Sequence, residues 1–230
     1  MSLPVVLITG QLLTDAVWQP LLEAWPDREV IVADNRSDDT IEGLAQRLLD
    51  NAPAKFVLIA HAMGGFVAFE VMRRAPKRVA KLALISTLAS ADGPAQTARR
   101  QGYIDLVESG RFDQVVEERI PILLPETKRN DEHLLGIARQ MAGDTGAETF
   151  LAQQRAIMAR IDSRLRLREV SVPTLVIWGE QDGITSRAHH EEILEAIAGA
   201  RLEVIAGTGH LPTLEAPGVV VPLLTDFIDA

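Results

Sequence analysis

Lys55-Phe-Val-Leu-Ile-Ala60-His61-Ala62-Met63-Gly64-Gly65 is the stretch on which the fold turns. Lys55 to Ala60 reads as a strand, and Met63 to about Arg74 as a helix. Between them the chain must reverse its period within two residues, so the strand and helix backbones come close together. Ala60 and Gly64, two positions before and two after residue 62, are small enough for that approach. Such a strand–turn–helix is a nucleophile elbow, which lifts one side chain off the end of a sheet with a helix N-terminus behind it. The apex here is Ala62, where this arrangement leads one to expect serine. An elbow apex is strained by roughly 1–3 kcal/mol. Glycine would relieve that strain, whereas alanine keeps it and supplies no hydroxyl. Without chemistry, Ala60–Gly65 would be a buried junction packed with small side chains.

Outward from the elbow, short apolar runs alternate with amphipathic ones. Strands are predicted at about 4–9, 28–33, 55–60, 79–86, 172–178 and 201–206. Each is nearly continuously apolar, as parallel strands are when helices cover both faces. Helices are predicted at about 15–24, 40–50, 63–75, 186–198 and 217–229, with Thr40 and Ser186 as N-caps and Pro76 beyond the end of the third. This alternation predicts an α/β fold, a mostly parallel doubly wound sheet flanked by helices. Residues 88–168 break the rhythm with helical patterns at about 94–109, 111–120, 130–142 and 147–160, separated by Gly110, Pro121, Pro125 and Gly143/Gly146. The division expected is a core of residues 1–87 and 169–230 with a helical cap insertion of residues 88–168.

The chain of 230 residues is 47% hydrophobic and 24% charged, enough for one domain with a large core. Its net charge of −9, with no basic stripe, argues against nucleic acid as a partner. No cysteine is present, which removes disulfides, thiolate catalysis and zinc–thiolate sites. Met1-Ser-Leu-Pro4 has neither the positive nor the long apolar region of a signal peptide, and no apolar run approaches membrane-spanning length. A cytoplasmic location and no membrane partner are the expectations. No His, Asp or Glu cluster has metal-ligand spacing, and the adjacent His189 and His190 on a predicted surface helix point in different directions. Neither metal nor cofactor is expected. Gly10-Gln-Leu-Leu-Thr-Asp15 does not have the glycine spacing of a dinucleotide loop.

Two later segments carry chemistry. Asp182, in Trp178-Gly-Glu-Gln-Asp182-Gly, lies just past a strand end, where parallel sheets gather functional groups. It could orient a histidine and stabilise its cation, although an Asp-Gly turn would read the same way. His210, in Gly207-Thr-Gly-His210-Leu-Pro-Thr-Leu-Glu215, occupies a glycine-rich loop after the last strand and suits a general base. The order is nucleophile position, acid, base, each after a strand. Gly10 and Gln11 follow the first strand, so the N–H groups of Gln11 and Met63 are the candidate oxyanion-hole donors. Trp18 reads as a packing residue, His61 as pointing into the structure, and His133 as part of the insertion.

These segments resemble the α/β-hydrolase superfamily, and within it the small capped esterase- and lactonase-like members. The resemblance covers nearly the whole chain and rests on Ile8-Thr-Gly-Gln11 with Trp18, Ala60–Gly65, Trp178–Asp182 and Gly207–Glu215. It implies Ala62 at the nucleophile position, Asp182 as acid, His210 as base and residues 88–168 as cap. There are three departures. Ala62 replaces serine, Thr9 stands where many members have histidine, and the leading hairpin of larger members is missing. The implied activity is hydrolysis of a carboxylic ester, thioester or lactone by Ser-His-Asp acyl transfer, here in a Ser-to-Ala variant. Alternatives are C–C bond hydrolysis or other chemistry on the same frame, and a non-catalytic small-ligand receptor. The partner expected is a small ester-like molecule, and oligomeric state is unreadable. Of the insertion's many arginines, which include Arg99, Arg100, Arg111, Arg139, Arg155 and Arg160, one turned inward could hold a substrate carboxylate. Met141, Phe150, Ile157 and Met158 could line an apolar pocket or belong to the core.

Overall fold

The computed structural model describes residues 2–230. Six strands form one sheet: β1 (Val5–Ile8), β2 (Val30–Val32), β3 (Phe56–His61), β4 (Val79–Ile85), β5 (Thr174–Gly179) and β6 (Arg201–Ile205). Their spatial order is β2-β1-β3-β4-β5-β6, and every neighbouring pair is parallel. The helices are α1 (Gln19–Ala24), α2 (Ile41–Asn51), α3 (Met63–Arg74), α4 (Pro94–Glu108), α5 (Phe112–Arg119), α6 (Glu132–Ala159), α7 (Arg187–Ala196), α8 (Pro212–Glu215) and α9 (Pro217–Asp229). Thr40 caps α2 through its side chain, which accepts the Gly43 N–H, and Ser186 caps α7. The first predicted helix opens as a 3₁₀ turn over Asp15–Trp18 before becoming α1. Among the described residues no helix is long and apolar enough to cross a membrane.

Strand alternation sorts the core into two layers. Val5, Leu7, Val57, Ile59, Ala83, Ile85, Leu175 and Ile177 face Leu21 of α1 and Val220 and Leu224 of α9. Val6, Ile8, Leu58, Ala60, Leu82, Leu84 and Val176 face Ile41 and Leu44 of α2, Val67 and Val71 of α3, and Ile193 of α7. Both faces of the inner strands are covered, which is why β1, β3 and β5 are buried along their whole length. The expectation of continuous burial fails at the two edges. Val32 of β2 and Arg201 and Val204 of β6 are exposed, because an edge strand has a neighbour on one side only.

The segment between β4 and β5 is helical, as its sequence suggests. The two predicted helices 130–142 and 147–160 are one run, α6, kinked at Gly146, whose φ of 75° and ψ of 168° are non-helical. Gly143, expected as part of the break, continues the helix. The insertion is tied shut where it leaves the sheet. Ser163 N–H donates to Ala89 O at 2.9 Å, and the Arg160 guanidinium donates to Ser90 O at 2.8 Å and to Asp92 at 2.7 Å. Val107, Val115, Leu135 and Ala138 of this insertion pack into the same layer as α1 and α9.

Candidate active site

The elbow forms where the sequence places it. Ala62 has φ 50° and ψ −114°, a left-handed conformation costly for any residue with a side chain. Neighbouring backbone holds it there. Ala62 N–H donates to Ile85 O at 2.9 Å, and Ala62 O accepts from Gly65 N–H at 2.9 Å and from the Thr87 hydroxyl at 2.7 Å. The apex is therefore locked to the end of β4 as well as to α3. Gly64 shows why a small residue must follow: a Cβ there would lie 2.4 Å from Ile8 O on the adjacent strand.

Asp182 and His210 meet. Nδ1–H of His210 donates to Asp182 Oδ2 at 2.9 Å, and the two side chains are almost wholly buried. Asp182 Oδ1 accepts from Ile184 N–H at 2.8 Å and Thr185 N–H at 3.1 Å, and Oδ2 also accepts from the Thr185 hydroxyl. Burial alone would raise this carboxyl, but the His210 ring and these donors outweigh it and hold the group at about 2. Asp182 is ionised at neutral pH and fixes His210 with Nδ1 protonated, which leaves Nε2 as the basic nitrogen.

The loop carrying His210 is held on three sides. His210 N–H donates to Leu123 O of the helical insertion at 2.7 Å, and His210 O accepts from His61 Nε2–H at 2.7 Å. The Glu215 carboxylate accepts from Gly209 N–H at 2.9 Å and Leu211 N–H at 3.1 Å, the residues on either side of His210. Gly209 is required by closeness, since a Cβ would lie 2.7 Å from Leu123 O.

The loop after β1 is stapled by residues the sequence did not single out. Asn35 Nδ2 donates to Gly10 O at 3.0 Å and also bonds the Thr9 hydroxyl. Gln153, from α6, accepts from Leu12 N–H at 3.2 Å and donates to Asn35 O at 3.2 Å. The backbone N–H groups of Gln11 and Met63 find no acceptor among the described residues. The Gln11 side-chain amide atoms are shielded from solvent and neither is bonded among the described residues.

Ala62, Met63, Gln11 and His210 line one cleft, which encloses about 500 Å³ of free space partly open to solvent. Its remaining wall is mostly apolar, with Phe66, Leu123 and Ile157, as a small-molecule site requires. Two arginines also reach it, Arg100 and Arg119. Arg100 is one of the sequence candidates, and Arg119 is not. Arg160 is buried behind the cleft, while Arg99, Arg111 and Arg155 are exposed. Met141 and Phe150 belong to the core, so of the apolar candidates Ile157 lines the cleft. Ser86 is not signalled by the sequence: it lines the cleft with a φ of 48° and a buried hydroxyl that has no partner among the described residues.

The other histidines divide. His133 is exposed in the insertion. His61 is buried, and Trp18 packs edge-on against it at 6.2 Å, both as expected. His190 is a correction. It is wholly buried with its ring 5.7 Å from that of Trp178, because the inward face of α7 packs on the end of β5.

Three likenesses bear on this geometry. The chain is 28% identical to pimeloyl-(acyl-carrier protein) methyl ester esterase of Photobacterium profundum, over 97% of this chain and 93% of that protein. It is 25% identical to 3-oxoadipate enol-lactonase 1 of Acinetobacter baylyi, over 98% and 88%. A thermophilic esterase from Thermogutta terrifontis superposes with a TM-score of 0.90 at 28% identity, covering 100% of this chain and 90% of that one. The family model described as the alpha/beta hydrolase family matches residues 5–223. With the elbow, the Asp182–His210 pair and the parallel sheet in place over that same span, the chain belongs to the alpha/beta hydrolase family.

Proposed function

We propose that the cleft is built for acyl transfer to and from a hydroxyl at position 62, hydrolysing a carboxylic ester, thioester or lactone. The observation that carries this is the His210–Asp182 pair, 2.9 Å apart, sharing one cleft with the strained apex at Ala62. The esterase and lactonase relatives support the reaction class. In this reading a serine hydroxyl at position 62 would lose its proton to His210 Nε2 as the oxygen attacks the substrate carbonyl. Asp182 would stabilise the imidazolium, and the free N–H groups of Gln11 and Met63 would take the oxyanion. His210 would return the proton to the leaving alcohol, thiol or enol, and water would release the acid by the same steps. Residues 88–168 serve as the cap over the cleft and set which acyl group enters.

Alanine at position 62 supplies no nucleophile. As it stands the chain binds substrate and retains about 10³–10⁴-fold catalysis over water from binding and the oxyanion hole. A ligand-binding protein without turnover is the second reading, and the methyl group at position 62 is the observation favouring it. Ala62→Ser decides between them on a panel of aryl esters, thioesters and lactones. A rate that appears with serine and vanishes on His210→Ala establishes acyl transfer. An inert Ala62→Ser protein that also resists a fluorophosphonate favours the binding role. Full turnover by the Ala62 chain, lost on Ser86→Ala, would move the nucleophile to Ser86.

A further inference from the structure

We propose that the wall of the cleft formed by the helical insertion is a carboxylate subsite in which Arg119 and Arg100 grip an anionic group, making the substrate an ester or lactone that also bears a carboxylate. This deepens the acyl-transfer reading of the cleft and rests on it for the word substrate.

The fold treats its inward arginines unequally. Arg160 is buried and fully engaged: it donates to Ser90 O, to Ile157 O and to Asp92, and stacks 4.3 Å from the Phe66 ring centroid. Arg100 is half engaged. Its Nε donates to Asp92 at 2.6 Å and its Nη1 to Gln154 at 3.0 Å, while Nη2 has no acceptor among the described residues. Arg119 pairs with no carboxylate among the described residues, and its Nε is sealed from solvent without a partner. Its guanidinium carbon lies 5.2 Å from the Tyr103 ring centroid, and Tyr103 favours the cation without supplying a full counter-charge.

Charge points the same way. Arg100, Arg119 and Arg160 carry three positive charges, and among the described residues the one carboxylate paired with any of them is Asp92. This excess sits inside a chain whose net charge is −9. Burial, reinforced by the like charge of Arg100, pulls the Arg119 group down to about 10, so it is still a cation at neutral pH. Arg119 is half-buried against the cleft, and a partly desolvated cation lacking a counter-charge among the described residues is costly. An incoming carboxylate would supply that charge and accept the idle N–H donors in the paired geometry that guanidinium favours. Arg100 and Arg119 line the same cleft as Ala62 and His210, with apolar Leu123 and Ile157 also in its wall. A molecule spanning the cleft would therefore present a carbonyl at one end and an anion at the other.

Binding to the Ala62 chain tests this without turnover. The probes are the monomethyl esters of succinic, glutaric and adipic acids, each against its dimethyl ester, titrated calorimetrically and by the arginine Nε–H resonances. At least one monoester is expected to bind roughly ten-fold tighter than its diester and to shift the Arg119 resonance. Arg119→Met is expected to erase that preference. Equal binding of all three pairs, or a preference that survives Arg119→Met, overturns the subsite. Should Arg119→Met fail to fold, the parent chain's preference and its Arg119 resonance decide: both must respond to the monoester, and a silent Arg119 resonance overturns the subsite. Failure of the two readings is distinguishable. If Ala62→Ser is inert while the preference holds, acyl transfer falls and the subsite stands. If Ala62→Ser hydrolyses mono- and diesters equally, the subsite falls and acyl transfer stands.

Discussion

Acid should unfold this protein through two histidines buried as neutral rings. His61 Nε2–H donates to His210 O and His190 Nδ1–H donates to Ser186 O, at 2.7 and 2.9 Å. The second nitrogen of each ring is buried and has no partner among the described residues. Protonation would place an N–H there with nothing to accept it. Burial, with the nearby His210 ring adding to it, lowers His61 to about 3, and burial lowers His190 to about 4. An unfolded histidine titrates near 6.5, so between pH 7 and 5 the unfolded chain takes up protons that the folded chain refuses. Stability therefore falls as pH falls, by about 2 kcal/mol per ring and about 4 kcal/mol for the pair over that window. Total stabilities of such domains are about 5–15 kcal/mol, so the loss is a large share. Asp182, held at about 2, gives up its contribution only at lower pH, as the solution passes below the ordinary carboxylate range. Glu215, raised by burial, acts in the opposite sense as pH falls. Urea unfolding at pH 7, 6 and 5 measures the slope, and His190→Gln should halve it. An unchanged slope in that variant, or equal urea midpoints at pH 7 and 5 in the parent, would refute the neutral burial of these rings.

Gly64→Ala should lower stability by about 3 kcal/mol, at the top of the usual overpacking range, because the new Cβ meets the backbone oxygen of Ile8 and no side chain can yield. A urea midpoint matching the parent would mean that β1 and α3 are not packed as described. Glu215→Gln keeps the shape but turns a charge-assisted acceptor of the Gly209 and Leu211 N–H groups into a neutral amide. It should cost about 1–3 kcal/mol and, in an Ala62→Ser background, reduce kcat more than it raises KM. A change confined to KM would sink the view that Glu215 positions the His210 loop.

What the sequence made legible depends on how far apart the causes lie along the chain. The elbow is local: Ala60, Ala62 and Gly64 are within five residues, and the steric demand of the turn is written in their size. The His210 loop is nearly as local, for its glycines and Glu215 form a closed set of contacts over a few positions. Asp182 alone reads as a turn residue, and the structure distinguishes it by what crosses 28 positions, the bond to His210. Beyond that separation the sequence is mute. Gln153 fixes Leu12 across 141 positions, and nothing about a glutamine in the middle of a helix announces it. His190 reads as a surface residue beside His189 because adjacent helical positions differ by about 100°, and only docking of α7 on β5 decides which one turns inward. Arg119 is the sharpest case. Arg99, Arg100, Arg111, Arg119, Arg139, Arg155 and Arg160 are chemically alike, and charge patterning cannot rank them. What separates Arg119 is a conjunction visible only in three dimensions: it reaches the cleft and has no carboxylate beside it among the described residues, whereas Arg99 and Arg111 are exposed and Arg100 and Arg160 pair with Asp92. Groups that define a reaction class sit on tight turns that need particular residues, so their spacing is visible. Groups that define which molecule reacts are set by helices crossing far from their own sequence neighbours, and their meaning is fixed only once the partners they lack can be seen.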